Sequence, residues 1–162
     1  MPEGRKRIEI VSKSAKKTQK VAGLLATEMK TLHGKKAVVV ALTGDLGSGK
    51  TTFTQGFAEA LGVKEKVLSP TFVLMKIYRV RCQRSSVKCY LKHLIHIDCY
   101  RIDSPREIEH LGLKKVFKDK DAIILIEWAD RAKKLLPHTA LWVKFKHGKQ
   151  PHKRIIQISN FQ

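Results

Sequence analysis

Val38-Val39-Val40-Ala41-Leu42-Thr43-Gly44-Asp45-Leu46-Gly47-Ser48-Gly49-Lys50-Thr51-Thr52 decides the fold. A β-branched apolar run reads as a buried strand. The pattern G-x-x-x-x-G-K-T follows directly, and a helix opens at the lysine. Strand, loop and helix in that order are the setting in which this glycine-rich pattern wraps phosphate. The glycines let the loop turn so that successive N–H groups point inward, where a Cβ would block the turn or the approach. The helix adds its unpaired N–H groups and the positive end of its dipole beneath the same anion. Gly44, Asp45, Leu46, Gly47, Ser48, Gly49 and Thr52 are therefore read as the phosphate cradle. Lys50 reaches the β- and γ-phosphates, and the Thr51 hydroxyl is a ligand for Mg²⁺. The chain is expected to bind a nucleoside triphosphate.

The 162 residues, 43% of them hydrophobic, suit a single domain over 1–162. No apolar run approaches the ~20 residues a membrane span needs; the longest are 37–42 and 122–126. Residues 1–7 are basic but lack an apolar stretch, so they do not read as a secretory signal, and a cytoplasmic location is expected. Cys82, Cys89 and Cys99 have no C-x-x-C spacing and read as free thiols. His93 and His96 have a metal-like spacing, but on a strand they face opposite sides. The 33 Lys+Arg against 14 Asp+Glu leave a formal charge of +19. Such an excess attracts nucleic acid or an acidic partner; the plainer reading is a solvated basic surface.

Along the chain, 7–11 alternates as a short strand, and Ser12 or Ser14 can cap the helix after it. Val21, Leu24, Leu25 and Met29 recur at helical spacing, with Gly34 as a stop. The phosphate-loop helix runs over 50–61, with Phe53, Phe57, Ala60 and Leu61 inward. Pro70 makes 69–72 a loop. A strand over 73–78, a basic connection over 79–92 and a strand over 94–98 follow. Ser104-Pro105-Arg106-Glu107 is a helix start, ending at Gly112. The apolar run 122–126 reads as a strand buried on both faces. Segments 141–146 and 154–159 alternate as an antiparallel pair. The expected fold is a three-layer α/β domain of the P-loop NTPase kind. Its sheet is mixed, parallel at the centre and antiparallel at the C-terminal edge.

A phosphate loop needs a second anchor for Mg²⁺, usually a carboxylate ending a neighbouring strand. Glu127 ends the run 122–126 and Asp98 ends 94–97. In a parallel sheet both ends gather on the side of the loop, so either acid can bind Mg²⁺ or orient the attacking water. Thr71 reads as a switch-like threonine that senses the γ-phosphate. Arg101 contacts phosphate or pairs with an acid. The guanine-specifying N-K-x-D pattern is absent, since Phe117 precedes Lys118-Asp119-Lys120-Asp121, which leaves ATP.

The blocks 43–53, Ser69-Pro70-Thr71-Phe72, His96-x-Asp98-x-Tyr100-Arg101 and Ile126-Glu127-Trp128 occur in one order over most of the chain. In this the chain resembles the bacterial TsaE family, the small ATPase of tRNA threonylcarbamoyladenosine synthesis. The resemblance implies ATP and Mg²⁺ as ligands and a weak ATPase that works with two partners. These are an actin-like-fold threonylcarbamoyltransferase and its inert paralogue, reset by hydrolysis between rounds of modifying A37 of tRNA. It implies Glu127 and Thr51 at Mg²⁺, Asp98, Thr71 and Lys50 in hydrolysis, and Trp128 beside the site. Ser14 and Arg154 lie where such proteins hold the adenosine. The segment 79–92 is longer and more basic than the usual connection, and is a candidate for direct tRNA contact. Two other readings fit the loop. One is a small-molecule kinase with Arg81, Arg84 and Arg101 as phosphate clamps. The other is a basic RNA-binding adaptor with a structural ATP.

Overall fold

The computed structural model describes residues 7–32, 34–70, 74–81 and 89–160. The elements are β1 (Arg7–Ser12), α1 (Ala15–Met29), β2 (Val38–Thr43), α2 (Lys50–Ala60), β3 (Met75–Arg79) and β4 (His93–Asp98). After them come α3 (Pro105–His110), α4 (Leu113–Val116), β5 (Ala122–Glu127), a 3-10 helix (Ala129–Leu135), β6 (Leu141–His147) and β7 (Arg154–Asn160).

The strands form one sheet in the order β1-β7-β6-β2-β5-β4-β3. The centre, β6-β2-β5-β4, is parallel. The β6–β7 pair is antiparallel, and β1 closes that side antiparallel to β7. β3 runs antiparallel to β4 at the opposite edge. β5 lies between β2 and β4 and is buried along its whole length, as its unbroken apolar run requires.

Side chains alternate across the sheet, so each strand feeds two cores. Val40, Leu42, Leu94, Ile123 and Leu125 pack beneath α1 and α2 with Phe53 and Phe57. Val39, Ala41, Ile95, Ile97, Ile124 and Ile126 form the other core, with Ile108 of α3, Leu113 of α4 and Ala132 of the 3-10 helix.

The buried stripe of α1 is Thr18, Val21, Ala22, Ala26 and Met29. Leu24, expected inward, is 63% exposed. The reason is the close crossing of α1 and α2. A Cβ at Gly56 would stand 2.5 Å from both Cα and O of Gln19, and one at Gly23 would stand 3.5 Å from Cβ of Ala60. Small residues face α2, and that rotation turns Leu24 outward. Ser14 is the cap of α1, accepting from the Lys17 N–H at 3.1 Å. Ser12 is buried and bonds to Oγ1 of Thr18 at 2.8 Å. Helix α1 ends at Met29, well before Gly34. Cys99 is a free, buried thiol, whereas Cys89 is disulfide-bonded, against the reading of three free thiols.

Register places the site. Leu42 and Asp98 both lie opposite Glu127 on either side of β5. The phosphate loop, Asp98 and Glu127 therefore meet at one end of the sheet.

Candidate functional site

The chain leaves β2 at Thr43 and enters α2 at Lys50 through the glycine-rich loop. Gly44 has φ 143° and Gly49 has φ 104°, backbone conformations that L side chains rarely adopt. A Cβ at Gly44 would also lie 2.6 Å from the Phe145 carbonyl oxygen. The Ser48 N–H donates to the Asp45 carbonyl at 3.2 Å and closes the turn.

Lys50 folds over this loop. Its Nζ donates to the carbonyls of Gly44 at 2.6 Å and Asp45 at 2.8 Å. It also lies 4.0 Å from the centre of the Trp128 ring, a cation–π contact. Burial pushes the ammonium below its usual value of 10.5, against the opposing pull of Glu127, Asp98, Asp130 and Asp45. An ammonium in that setting is poised for an anion, which restores the charge compensation that water no longer supplies.

Glu127, 2% exposed, is held at both oxygens. Its Oε2 accepts from Thr51 Oγ1 at 3.0 Å. Its Oε1 meets Nε2 of His96 at 3.0 Å and Oγ1 of Thr54 at 3.1 Å. Asp98 accepts from the Tyr100 N–H at 2.9 Å through Oδ1, and from the Ser69 hydroxyl through Oδ2. The Thr51 hydroxyl and the Glu127 carboxylate are hard oxygen donors that converge at one point. That donor set suits Mg²⁺, which takes few protein oxygens and keeps several waters.

A cavity of about 370 Å³ opens over Lys50, Thr51, Ser69, Asp98, Glu127 and Trp128. A second, of about 400 Å³, lies between the start of α1 and the β6–β7 turn, lined by Lys13, Ser14, Thr18, His152 and Arg154 among others. The two share Gly47, Gly49 and Thr52, so they form one groove bent around the phosphate loop. Arg154 is tied to the loop itself, its Nη2 donating to the Gly47 carbonyl at 3.1 Å. Lys50 lies at one end of this groove, and Ser14 and Arg154 line the other.

The structure thus brings together Lys50, Thr51, Asp98, Glu127 and Trp128, and sets Ser14 and Arg154 on the adjoining cavity. Thr71 lies outside the described residues, as do Cys82, Arg84 and Lys88. Arg101 is exposed. Arg79 pairs in register with His93, at the end of β4 away from Asp98. The basic connection therefore leaves the sheet about 16 Å from the groove at the rise of a strand. Arg81 donates its N–H to the Leu61 carbonyl at that same far end. Lys92 is paired with Asp121 at 2.7 Å. His93 turns to Asp119 at 3.5 Å while His96 faces Glu127, opposite sides as expected. Among the described residues no cluster of His, Cys, Asp and Glu could hold a metal on its own, and no helix is long and apolar enough to cross a membrane.

Sequence reasoning missed Thr54, Ser69 and Arg131. Thr54 follows Thr51 by three residues on one helix face, a readable signal. Arg131 lies 5.7 Å from the Trp128 ring and 5.8 Å from the Tyr100 ring, because an unforeseen 3-10 helix begins after Trp128.

Comparison with known proteins gives a consistent result. The family model described as "Threonylcarbamoyl adenosine biosynthesis protein TsaE" matches residues 12–156. A Haemophilus influenzae protein named tRNA threonylcarbamoyladenosine biosynthesis protein TsaE is 36% identical over 116 residues, 72% of this chain and 67% of that protein. The Bacillus subtilis protein of that name is 38% identical over 121 residues, 75% and 69% of the two chains. The Rickettsia prowazekii one is 35% identical over 134 residues, 82% of each. The crystal structure of Bacillus subtilis YdiB superposes with a TM-score of 0.75 at 30% identity, covering 99% of this chain and 89% of that one.

Proposed function

This chain belongs to the TsaE family, and on that footing we propose that it binds and hydrolyses ATP with Mg²⁺ for tRNA threonylcarbamoyladenosine biosynthesis. The observation that carries this reading is the bent groove, with Lys50, Thr51, Asp98 and Glu127 at one end and Ser14 and Arg154 at the other.

The triphosphate takes Lys50 from the carbonyls of Gly44 and Asp45 and sets its charge against the β- and γ-phosphates. The loop N–H groups and the start of α2 receive the remaining oxygens. Thr51 and Glu127 hold Mg²⁺, which supplies neutralisation of the charge that develops on the phosphates. Asp98, fixed by Ser69 and the Tyr100 N–H, orients the attacking water and accepts its proton. Trp128 walls the phosphate end, and the adenosine lies in the adjoining cavity beside Ser14 and Arg154.

Phosphoryl transfer is catalysed almost wholly by positioning and electrostatics. Among the described residues no arginine lines the phosphate-end cavity. Hydrolysis is therefore slow in the isolated protein and is accelerated when the threonylcarbamoyltransferase and its inert paralogue add the missing charge. The cycle resets that complex between rounds of tRNA modification in the cytoplasm. The charge of +19 supports tRNA as a further contact. The basic surface nearest the groove is acid-poor: no Asp or Glu occurs between Glu9 and Glu28 or after Asp130.

Titration calorimetry tests the reading. One ATP should bind per chain, more tightly with Mg²⁺ than with a chelator, and product analysis should show ADP and inorganic phosphate with no acceptor present. Absence of saturable binding overturns it.

A further inference from the structure

We infer that His96 is a positioning residue that aims the Glu127 carboxylate at the metal position. The inference rests on the proposed function, in which Glu127 and Thr51 hold Mg²⁺.

His96 sits in the middle of β4, fully buried, among Leu94, Ile95 and Ile97. Register pairs it with Leu125 of β5, so the ring lies on the same sheet face as Glu127 two residues on. Among the described residues this diagonal neighbour is the one hydrogen-bond partner of the ring, Nε2 to Oε1 at 3.0 Å. Its other nitrogen, Nδ1, is buried without a partner. A polar ring half-satisfied in a core is unfavourable relative to a leucine or phenylalanine that would fill the same space. Packing therefore does not account for a histidine here, and the bond to Glu127 does.

The geometry also says what the bond achieves. An ionised carboxylate only accepts, so Nε2 is the donor of this bond. With Oε1 held toward β4, Oε2 is turned to the Thr51 hydroxyl at 3.0 Å. Thr54 also reaches Oε1, at 3.1 Å, but its single proton is shared with the Lys50 carbonyl at 3.0 Å. His96 is thus the donor committed to Oε1. Without it, rotation about the last side-chain bond of Glu127 would take Oε2 away from Thr51.

The test measures ATP affinity in chelator and across a Mg²⁺ series, with thermal midpoints as a check on folding. His96→Leu keeps the volume and removes the donor. His96→Gln can restore a donor near the Nε2 position. The Mg²⁺ concentration that gives half of the affinity gain should rise about 10–100-fold in His96→Leu, the usual loss when an outer partner of a metal ligand is removed. In His96→Gln it should stay within a few-fold of wild type, and affinity in chelator should be unaltered in both. A merely structural role would lower the thermal midpoint and leave the Mg²⁺ half-point in place. If His96→Leu does not fold, His96→Asn carries the same expectation, because its amide stops short of Oε1. A wild-type Mg²⁺ half-point in the folded donor-less variant overturns the inference. Glu127→Gln separates the two levels. If it too retains the Mg²⁺ dependence, the metal reading has failed; if it loses the dependence while His96→Leu keeps it, only the role of His96 has failed.

Discussion

The Lys50 ammonium lies over the face of the Trp128 ring, 4.0 Å from its centre, while its hydrogens go to the carbonyls of Gly44 and Asp45. Trp128 can be there because it adopts a left-handed backbone, φ 55°, as β5 gives way to the 3-10 helix. A ligand that draws Lys50 onto phosphate changes the field at the indole. ATP should therefore alter Trp128 emission in a Trp142→Phe background, and Lys50→Ala should abolish the change. An unchanged emission at saturating ATP would contradict the displacement of Lys50.

Lys50→Ala and Thr51→Ala remove groups that serve charge brought by the ligand. A hydrogen bond to a charged partner contributes about 1.5–3 kcal/mol, so each variant should lose roughly 10–100-fold in Mg²⁺-dependent ATP affinity while remaining folded. Calorimetric titration with circular dichroism decides this. Wild-type affinity in both variants would remove the phosphate loop from the account.

Glu127 and Asp98 should separate by function. Glu127→Gln is expected to lose the Mg²⁺ dependence of ATP binding. Asp98→Asn should bind Mg²⁺ and ATP near normally and lose turnover about 10²–10⁴-fold, the range for a positioned proton acceptor. Affinity with and without Mg²⁺, measured beside phosphate release, checks both. The reverse pattern would exchange the two roles.

Lys50 also carries a pH signature. Burial holds its pKa below 10.5 in the folded chain. Between that lowered value and 10.5 the unfolded state binds more protons, so the stability linked to this group rises with pH through the window and is reduced below it. Denaturant unfolding of wild type and Lys50→Met, where the other lysines cancel, should show wild type gaining relative stability from neutral pH toward 10.5. A falling difference would contradict the burial argument.

The basic face beside the groove should hold RNA weakly and without sequence preference. Replacing the exposed Lys13, Lys16, Lys17 and Lys149 with Gln should flatten the dependence of log affinity on log salt by about 0.7–0.9 for each phosphate that is no longer neutralised. Replacing Arg79, Arg81 and Lys92 should do less, because Lys92 is already paired with Asp121. An unaltered slope in the first set would leave RNA binding to the partner proteins.

What the sequence made legible was local or strongly patterned. The phosphate loop is a contiguous backbone device, and β5 is an unbroken apolar run, so both could be read in place with the acid that ends the strand. The partners of those residues were not legible, because strand order decides them. His96 meets Glu127 only because β4 lies beside β5, and Ser69 meets Asp98 across a loop. The same topology sets Arg79, Arg81 and Lys92 at the far end of the sheet, which no property of those residues announces. Leu24 misled because helical periodicity does not report how closely a second helix approaches.

The most direct measurement is multiple-turnover threonylcarbamoylation of tRNA by the reconstituted transferase and its paralogue, with this protein wild type, as Asp98→Asn, or omitted. The account predicts sustained turnover with wild type. With Asp98→Asn, expected to bind ATP and lose its hydrolysis, modification should stop near a single round, and the same should hold with no protein added. Sustained turnover with Asp98→Asn, or no dependence on this chain, would contradict ATP hydrolysis here as the step that resets the complex.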